Sequence, residues 1–276
     1  NHTANDTQAD GLTHSSIWCI VKDNQGTLWL GTYFGGVNYF NPEYEIYTRY
    51  SYSSNEKKGL SNPVVGRTIE DRDGNLWIGT EGGGLNYYNR RTREFKWYRP
   101  QEGRNSISHN NVKALYYDAD KEIIWIGTHL GGLNKLDIRS GHFTHYRMEE
   151  GNPNTLPSDI IRDIIPYKSL LIIATQNGVC LFDPANGQCQ QLFKDSKEGK
   201  SIKMVADVTF DSEGTLWIAA TGEGVFSYRF DTCRLTNYRH DATNPNSLSN
   251  NNVNNITQDS KGNLWFATSG SGLDLY

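Results

Sequence analysis

Long apolar runs are missing from this 276-residue chain. No stretch approaches the roughly 20 residues that a membrane-spanning helix needs. Charge of one sign is missing too: 27 Lys and Arg against 31 Asp and Glu leave a net charge of −4. The basic residues form no cluster, so nothing electrostatic draws the chain to nucleic acid. Cysteine is scarce, with only Cys19, Cys180, Cys189 and Cys233. None sits in a C-x-x-C pair or close to a histidine in sequence, which argues against a zinc site. Cys180 and Cys189 flank the turn FDPANGQ and are placed to lie on paired strands. Spacing alone gives no bridge geometry, so free thiols are the default expectation.

Enzyme motifs are lacking as well. There is no G-x-S-x-G, no H-E-x-x-H and no D-x-D-x-D-G calcium loop. Histidines are scattered, and no two carboxylates stand at a spacing that indicates a glycosidase pair. No catalytic residue, metal or cofactor is expected. No segment of useful length has a helix period. The first ten residues, NHTANDTQAD, are polar, β-poor and unlike a signal peptide. With no initiator methionine, the chain reads as a processed or excised piece.

What is present is a repeat. LWLGTYFGGVNYFN (28–41) recurs as LWIGTEGGGLNYYN (76–89), IWIGTHLGGLNKLD (124–137) and LWIAATGEGVFSYR (216–229). A further copy, LWFATSGSGLDLY (264–276), closes the chain, and LIIATQNGVCLFD (171–183) is a degenerate one with a shorter turn. The anchors Trp29, Trp77, Trp125, Ile172, Trp217 and Trp265 are spaced by 48, 48, 47, 45 and 48 residues. Around each anchor lie four segments of 4–8 residues, rich in β-branched and aromatic types and bounded by turn formers. Four antiparallel strands per repeat of this length describe a β-propeller blade. Residues 11–276 are therefore expected to form an all-β propeller of six blades, preceded by the polar segment 1–10. The last repeat lacks its fourth strand, which favours truncation within a longer array over a closed six-bladed ring.

Glycine-rich turns also occur in phosphate loops, but there a helix follows the glycines. Here Gly84 is followed by the strand Leu85-Asn86-Tyr87. The glycines thus belong to the scaffold, and so does the periodic aspartate (Asp23, Asp71, Asp118, Asp211, Asp259), expected to cap the turn after it.

The pattern D-x-x-G-x-L-W-I-G-T-x-x-G-G-L-N at Asp71–Asn86 resembles the two-component regulator propeller repeat, and the resemblance runs from Gly11 to Tyr276. It implies a periplasmic sensor domain of a Bacteroidetes hybrid two-component system. The family typically detects oligosaccharides released from glycans, and its membrane span, histidine kinase and DNA-binding regulator lie downstream. On that basis the partners expected are an oligosaccharide or glycan fragment, the rest of the parent kinase and a second copy of the chain. Membrane attachment is expected only through downstream segments.

Within the repeat, slots that change from blade to blade are where specificity can reside. The turns between strands two and three contribute Tyr33, Phe34, Glu81, His129, Gln176, Asn177 and the nearby Glu223. First strands contribute Trp18, Arg67, Lys113, Arg162 and Asp207. Aromatics stack on the apolar face of a sugar ring, while amides, carboxylates and cations bond its hydroxyl or acidic groups. Links into the first strands add His14, Asn62, His109, Ser158 and Asn250 to the same face. Two other classes stay open. One is a propeller lyase or hydrolase; the streptogramin-inactivating lyases are similar, and His109 with His129 is the pair to compare. The other is a dimerisation or interaction scaffold.

Overall fold

The computed structural model describes residues 12–41 and 46–276; segment 1–10 and most of the NPEYE turn lie outside the described residues. It contains 23 strands and two single-turn 3-10 helices, Glu56–Lys58 and Gly199–Ser201, among the described residues. The fold is all-β, built of propeller blades in which consecutive strands pair antiparallel. The chain divides into two compact units, 1–145 and 146–276.

Unit one carries three blades of four strands. Blade one is β1 (Ile17–Lys22), β2 (Leu28–Thr32), β3 (Val37–Asn41) and β4 (Ile46–Tyr50). Blade two is β5 (Val65–Glu70), β6 (Leu76–Thr80), β7 (Gly84–Asn89) and β8 (Glu94–Tyr98). Blade three is β9 (Val112–Asp118), β10 (Ile123–Thr128), β11 (Leu133–Asp137) and β12 (Phe143–Tyr146).

Unit two follows the same plan. Blade four is β13 (Ile161–Tyr167), β14 (Leu170–Thr175), β15 (Gly178–Phe182) and β16 (Cys189–Gln191). Blade five is β17 (Val205–Phe210), β18 (Leu216–Ala220), β19 (Gly224–Arg229) and β20 (Arg234–Tyr238). Blade six has three strands, β21 (Val253–Gln258), β22 (Leu264–Thr268) and β23 (Gly272–Leu275), as its sequence predicts. Cys180 and Cys189 do lie on adjacent strands, buried, and both are free thiols. The neighbouring Cys189 thiol and burial push the Cys180 thiol well above its usual range.

The core lies between blades, because a single blade has two apolar faces and no partner of its own. Trp29, Val37, Val65, Ile78, Tyr88 and Phe95 fill the space between blades one and two. Trp77, Leu85, Leu115, Ile126 and Phe143 do so between blades two and three. In unit two, Trp217, Val225, Val253 and Phe266 join blades five and six. The anchor indole stacks on a strand-four tyrosine: Trp29 on Tyr50 at 5.8 Å, Trp77 on Tyr98 at 5.7 Å and Trp217 on Tyr238 at 5.5 Å. Burying an indole of this size contributes on the order of 4–5 kcal/mol as an upper bound.

Three polar devices recur and explain the invariant slots. First, the periodic aspartate caps its turn as expected, and its second oxygen takes the indole N–H six residues on. The Nε1–Oδ2 distances are 2.8 Å for Trp29–Asp23, 3.2 Å for Trp77–Asp71, 2.7 Å for Trp217–Asp211 and 3.0 Å for Trp265–Asp259. Blade three differs. Its turn is one residue longer, and Asp118 instead accepts the Lys121 amide at 3.2 Å. Second, the strand-three Asn holds the incoming link: Asn38 Oδ1 accepts from the Thr13 amide, Asn86 from Ser61 and Asn134 from Ser108, at 2.8–3.1 Å. Third, the threonine of the G-T motif donates its hydroxyl across the turn, as Thr80 does to Gly84 O at 2.9 Å. Gly84 itself has φ +80°, and a Cβ there would lie 2.2 Å from the Tyr98 carbonyl oxygen. Only glycine fits that approach.

Candidate functional site

A β-bulge sits at the start of every first strand. The register slips between Ile17 and Cys19, Val65 and Thr68, Val112 and Ala114, Ile161 and Asp163, Val205 and Asp207, and Val253 and Asn255. Trp18, Arg67, Lys113 and Arg162 fall within those slips. A bulge leaves its extra residue out of the ladder and re-aims its side chain. That is why this slot can vary while the strand around it does not.

In unit one the bulges and turns bring five candidates together. The Trp18 ring lies on Tyr33, centroids 5.3 Å apart and planes 9° apart. Phe34 meets Tyr33 edge-on at 4.3 Å. These three rings are open to solvent, with exposures of 52%, 36% and 57% for Trp18, Tyr33 and Phe34. His14 borders the shelf, 6.5 Å from Tyr33 and 6.3 Å from Phe34. From blade three, the Lys113 ammonium stands over the Trp18 ring at 5.6 Å and pairs with Glu81 of blade two. The cation–π contact and the ion pair together hold Lys113 against the shelf edge. Arg67 lies near Cys19. Burial pushes that thiol up, and hydrogen bonds and the Arg67 charge partly oppose it. His129 is half-buried, and its amide donates to Asn111 O at 2.9 Å.

The unit two candidates are engaged separately. Asp207 is buried, and its Oδ2 accepts from the Ile256 amide at 2.8 Å and from Asn255 Nδ2 at 3.1 Å, tying blade five to blade six. Asp163 does the same toward the Val208 amide at 3.5 Å. Glu223 pairs with Arg239. Asn177 Nδ2 donates to Pro157 O at 3.4 Å, and Gln176 O accepts the Met204 amide at 2.7 Å. Arg162 stands half-buried at the start of β13.

The link residues have a structural task as well. His14 Nδ1 accepts from the Ser16 amide, Asn62 Oδ1 from Val64, His109 Nδ1 from Asn111, Ser158 Oγ from Ile160 and Asn250 Oδ1 from Asn252, at 2.8–3.1 Å. In each case a side chain caps the amide two residues on, which tightens the entry into the first strand. Three residue types in one slot hid a common role. Among the described residues no three His, Cys, Asp or Glu side chains gather as a metal would require, and no helix is long and apolar enough to cross a membrane.

Chemically, the shelf offers partly exposed aromatic rings with a cation and a carboxylate at its edge. Flat apolar ligand faces can stack there while the ion pair bonds polar substituents.

Blades of this kind with such a face define a β-propeller repeat protein. The model of the two component regulator propeller family matches residues 11–34, 59–82, 106–129 and 247–270. No curated protein matches the sequence. Among solved structures the chain is similar to the extracellular domain of a proposed hybrid two component system from B. thetaiotaomicron. That likeness has a TM-score of 0.72 at 23% identity and covers 100% of this chain and 42% of the other. A second such domain from the same organism gives 0.66 at 20% identity, with 100% and 39% covered. The chain thus spans about two fifths of these relatives. A catalytically inactive virginiamycin B lyase from Staphylococcus aureus, solved with quinupristin, gives 0.69 at 13% identity, with 100% and 87% covered. At these identities the likeness is one of fold.

Proposed function

We propose that this chain is part of the extracytoplasmic, ligand-sensing region of a hybrid two-component sensor and that it reads a glycan fragment without transforming it. The observation that carries the reading is the exposed Trp18–Tyr33–Phe34 shelf with the Lys113–Glu81 pair at its rim. Three large aromatic side chains held in the open gain little for folding there. They gain from stacking on the C–H face of a sugar, whose hydroxyls then reach the charged rim. The propeller repeats and the fold likeness to extracellular domains of proposed hybrid two component systems support the sensor context and a periplasmic location. In this reading kinase activity belongs to other parts of the parent protein. A bound glycan acts by changing how blades pack or how two copies associate.

The test is calorimetric titration of the chain with a panel of neutral and acidic hexasaccharides. The reading expects one of them to bind, and Trp18→Ala with Tyr33→Ala to abolish that binding. No heat with any of the panel would sink it. A second reading, a propeller lyase or hydrolase, draws on the fold likeness to virginiamycin B lyase. It expects the same incubations, or one with quinupristin, to yield product. A pure dimerisation scaffold expects neither binding nor turnover, only self-association.

A further inference from the structure

Strand four runs into a Tyr-Arg pair in three blades: Tyr98-Arg99, Tyr146-Arg147 and Tyr238-Arg239. Each of these guanidinium groups is tied to a turn or a link beside it. Arg99 donates to Ser61 O at 3.1 Å and stands over the Trp97 ring at 4.5 Å. Arg147 pairs with Asp159 at 3.6 Å. Arg239 donates to Gly222 O at 3.4 Å and pairs with Glu223. In blade one Tyr50 lies opposite Val37 as Tyr98 lies opposite Leu85, so the arginine slot holds Ser51.

The short side chain leaves room. A cavity of about 290 Å³ opens there, and its walls include Thr13, Phe34 and Pro63. These are the blade-one counterparts of Ser61, Gly222 and Asp159, the residues that the three arginines bond. Arg49, Ser51 and Tyr52 also line it. The volume is close to the roughly 300 Å³ at which small-ligand sites begin.

The lining is preorganised. The Leu60 amide donates to Ser51 O at 2.9 Å and the Ser53 amide to Leu60 O at 3.1 Å, so the backbone carrying Tyr52 is fixed while its ring stays 56% exposed. Phe34 is shared with the aromatic shelf, since its ring meets Tyr33 at 4.3 Å. Cavity and shelf are therefore continuous. Arg49 is exposed and also interacts within the chain. Its five N–H donors form a fork that matches a carboxylate, and one interaction does not use them all.

We propose that this cavity is a subsite for a uronate unit, whose ring rests against Phe34 and Tyr52 and whose carboxylate is taken by Arg49; this rests on the glycan reading above and narrows it to acidic oligosaccharides. The sugars that follow the uronate run onto the Trp18–Tyr33 shelf. Blades two, three and five cannot offer the same subsite, because an arginine is bonded at the equivalent place.

The experiment titrates the full chain, Arg49→Gln, Ser51→Met and Tyr33→Ala calorimetrically with hexamannuronate, hexagalacturonate, cellohexaose and β-1,4-mannohexaose, the neutral counterpart of hexamannuronate. A thermal melt of each variant accompanies it. The wild type is expected to bind a uronate hexasaccharide at least about tenfold tighter than the neutral ones. Arg49→Gln should remove that preference, and Ser51→Met, which fills the cavity without adding charge, should weaken uronate binding about tenfold. Both positions are exposed, so the melts should stay close to that of the wild type. Should one variant melt several degrees lower, the other decides. Equal or tighter binding of the neutral hexasaccharides by the wild type overturns the inference and leaves the glycan reading standing. So does loss of binding in Tyr33→Ala with wild-type affinity for uronate in Arg49→Gln and Ser51→Met. If the wild type binds neither these probes nor any of the wider panel, the glycan reading fails and this inference falls with it.

Discussion

Trp18 and Tyr33 lie face to face, 5.3 Å between ring centroids and 9° between planes, one on a first-strand bulge and the other on the turn after strand two. The two are neighbours only because the bulge turns Trp18 out of the ladder toward that turn. Removing either ring should therefore disturb the other.

Tyr33→Ala frees one face of Trp18 to water. Its effect on stability is expected to stay within about 1 kcal/mol, because both rings are exposed. The indole emission should shift to the red and lose its response to saccharide. Steady-state fluorescence checks this, with Trp97→Phe and Trp265→Phe as the controls for the two other indoles outside the buried core.

Asp23 is buried. It accepts the Trp29 indole at 2.8 Å and the Thr27 amide at 2.9 Å, and it pairs with Arg90 at 3.1 Å. Asp23→Ala leaves these donors without their acceptor and is expected to destabilise unit one by about 3 kcal/mol. Urea unfolding followed by tryptophan emission measures it. Asp118→Ala, in the blade whose aspartate makes no such clamp, should cost less than about 1 kcal/mol.

Two glycines with nearly the same φ should respond differently. Gly84→Ala meets both the positive φ and the Tyr98 carbonyl oxygen 2.2 Å away, and is expected to cost about 3 kcal/mol or more. Gly270→Ala, at φ +84° with nothing within 4 Å, should cost only about 1–2 kcal/mol. Chemical denaturation of the two variants separates steric from torsional cost.

Acid should loosen the clamps. The Trp265 indole and the Asn263 amide hold the Asp259 carboxyl down, to about 2. Asp23 also lies below its usual range: burial pushes it up, but the Trp29 indole, backbone amides and Arg90 more than offset this. A carboxylate whose folded pKa is depressed contributes stability that is present above its unfolded value of about 3.9. That contribution is lost as pH falls through the folded value. The melting temperature should therefore drop as the pH is lowered from about 4 toward 2. Asp259→Asn should flatten the slope.

Much of the fold was legible before any coordinates. Six anchors in register, glycine-bearing turns and short β-rich segments define blades because each signal is local. A tryptophan, its turn aspartate and its Thr-x-x-x-Gly meet within a few residues whatever lies farther away. The expected turn cap by aspartate is present at all five positions for that reason, and the longer turn of blade three accounts for the missing indole bond at Asp118.

The site was legible only in part, and two cases show why. Asp207 varies between blades in the way a ligand residue would, yet its carboxylate is bonded to the amide of Ile256, a whole blade away. His14, Asn62 and Ser158 differ in type but cap the same kind of turn, because two acceptor atoms and an imidazole nitrogen can each reach an amide two residues on. Variation alone does not separate ligand contacts from alternative ways of filling one structural role.

The repeat, the strand count and the scaffold slots were thus determined by sequence alone, since they rest on periodicity and short-range hydrogen bonding. Which of the variable residues meet was decided by the tertiary structure. Trp18, Tyr33, Glu81 and Lys113 come from three blades, and their convergence depends on bulges that re-aim side chains and on blade stacking that brings distant turns to one rim.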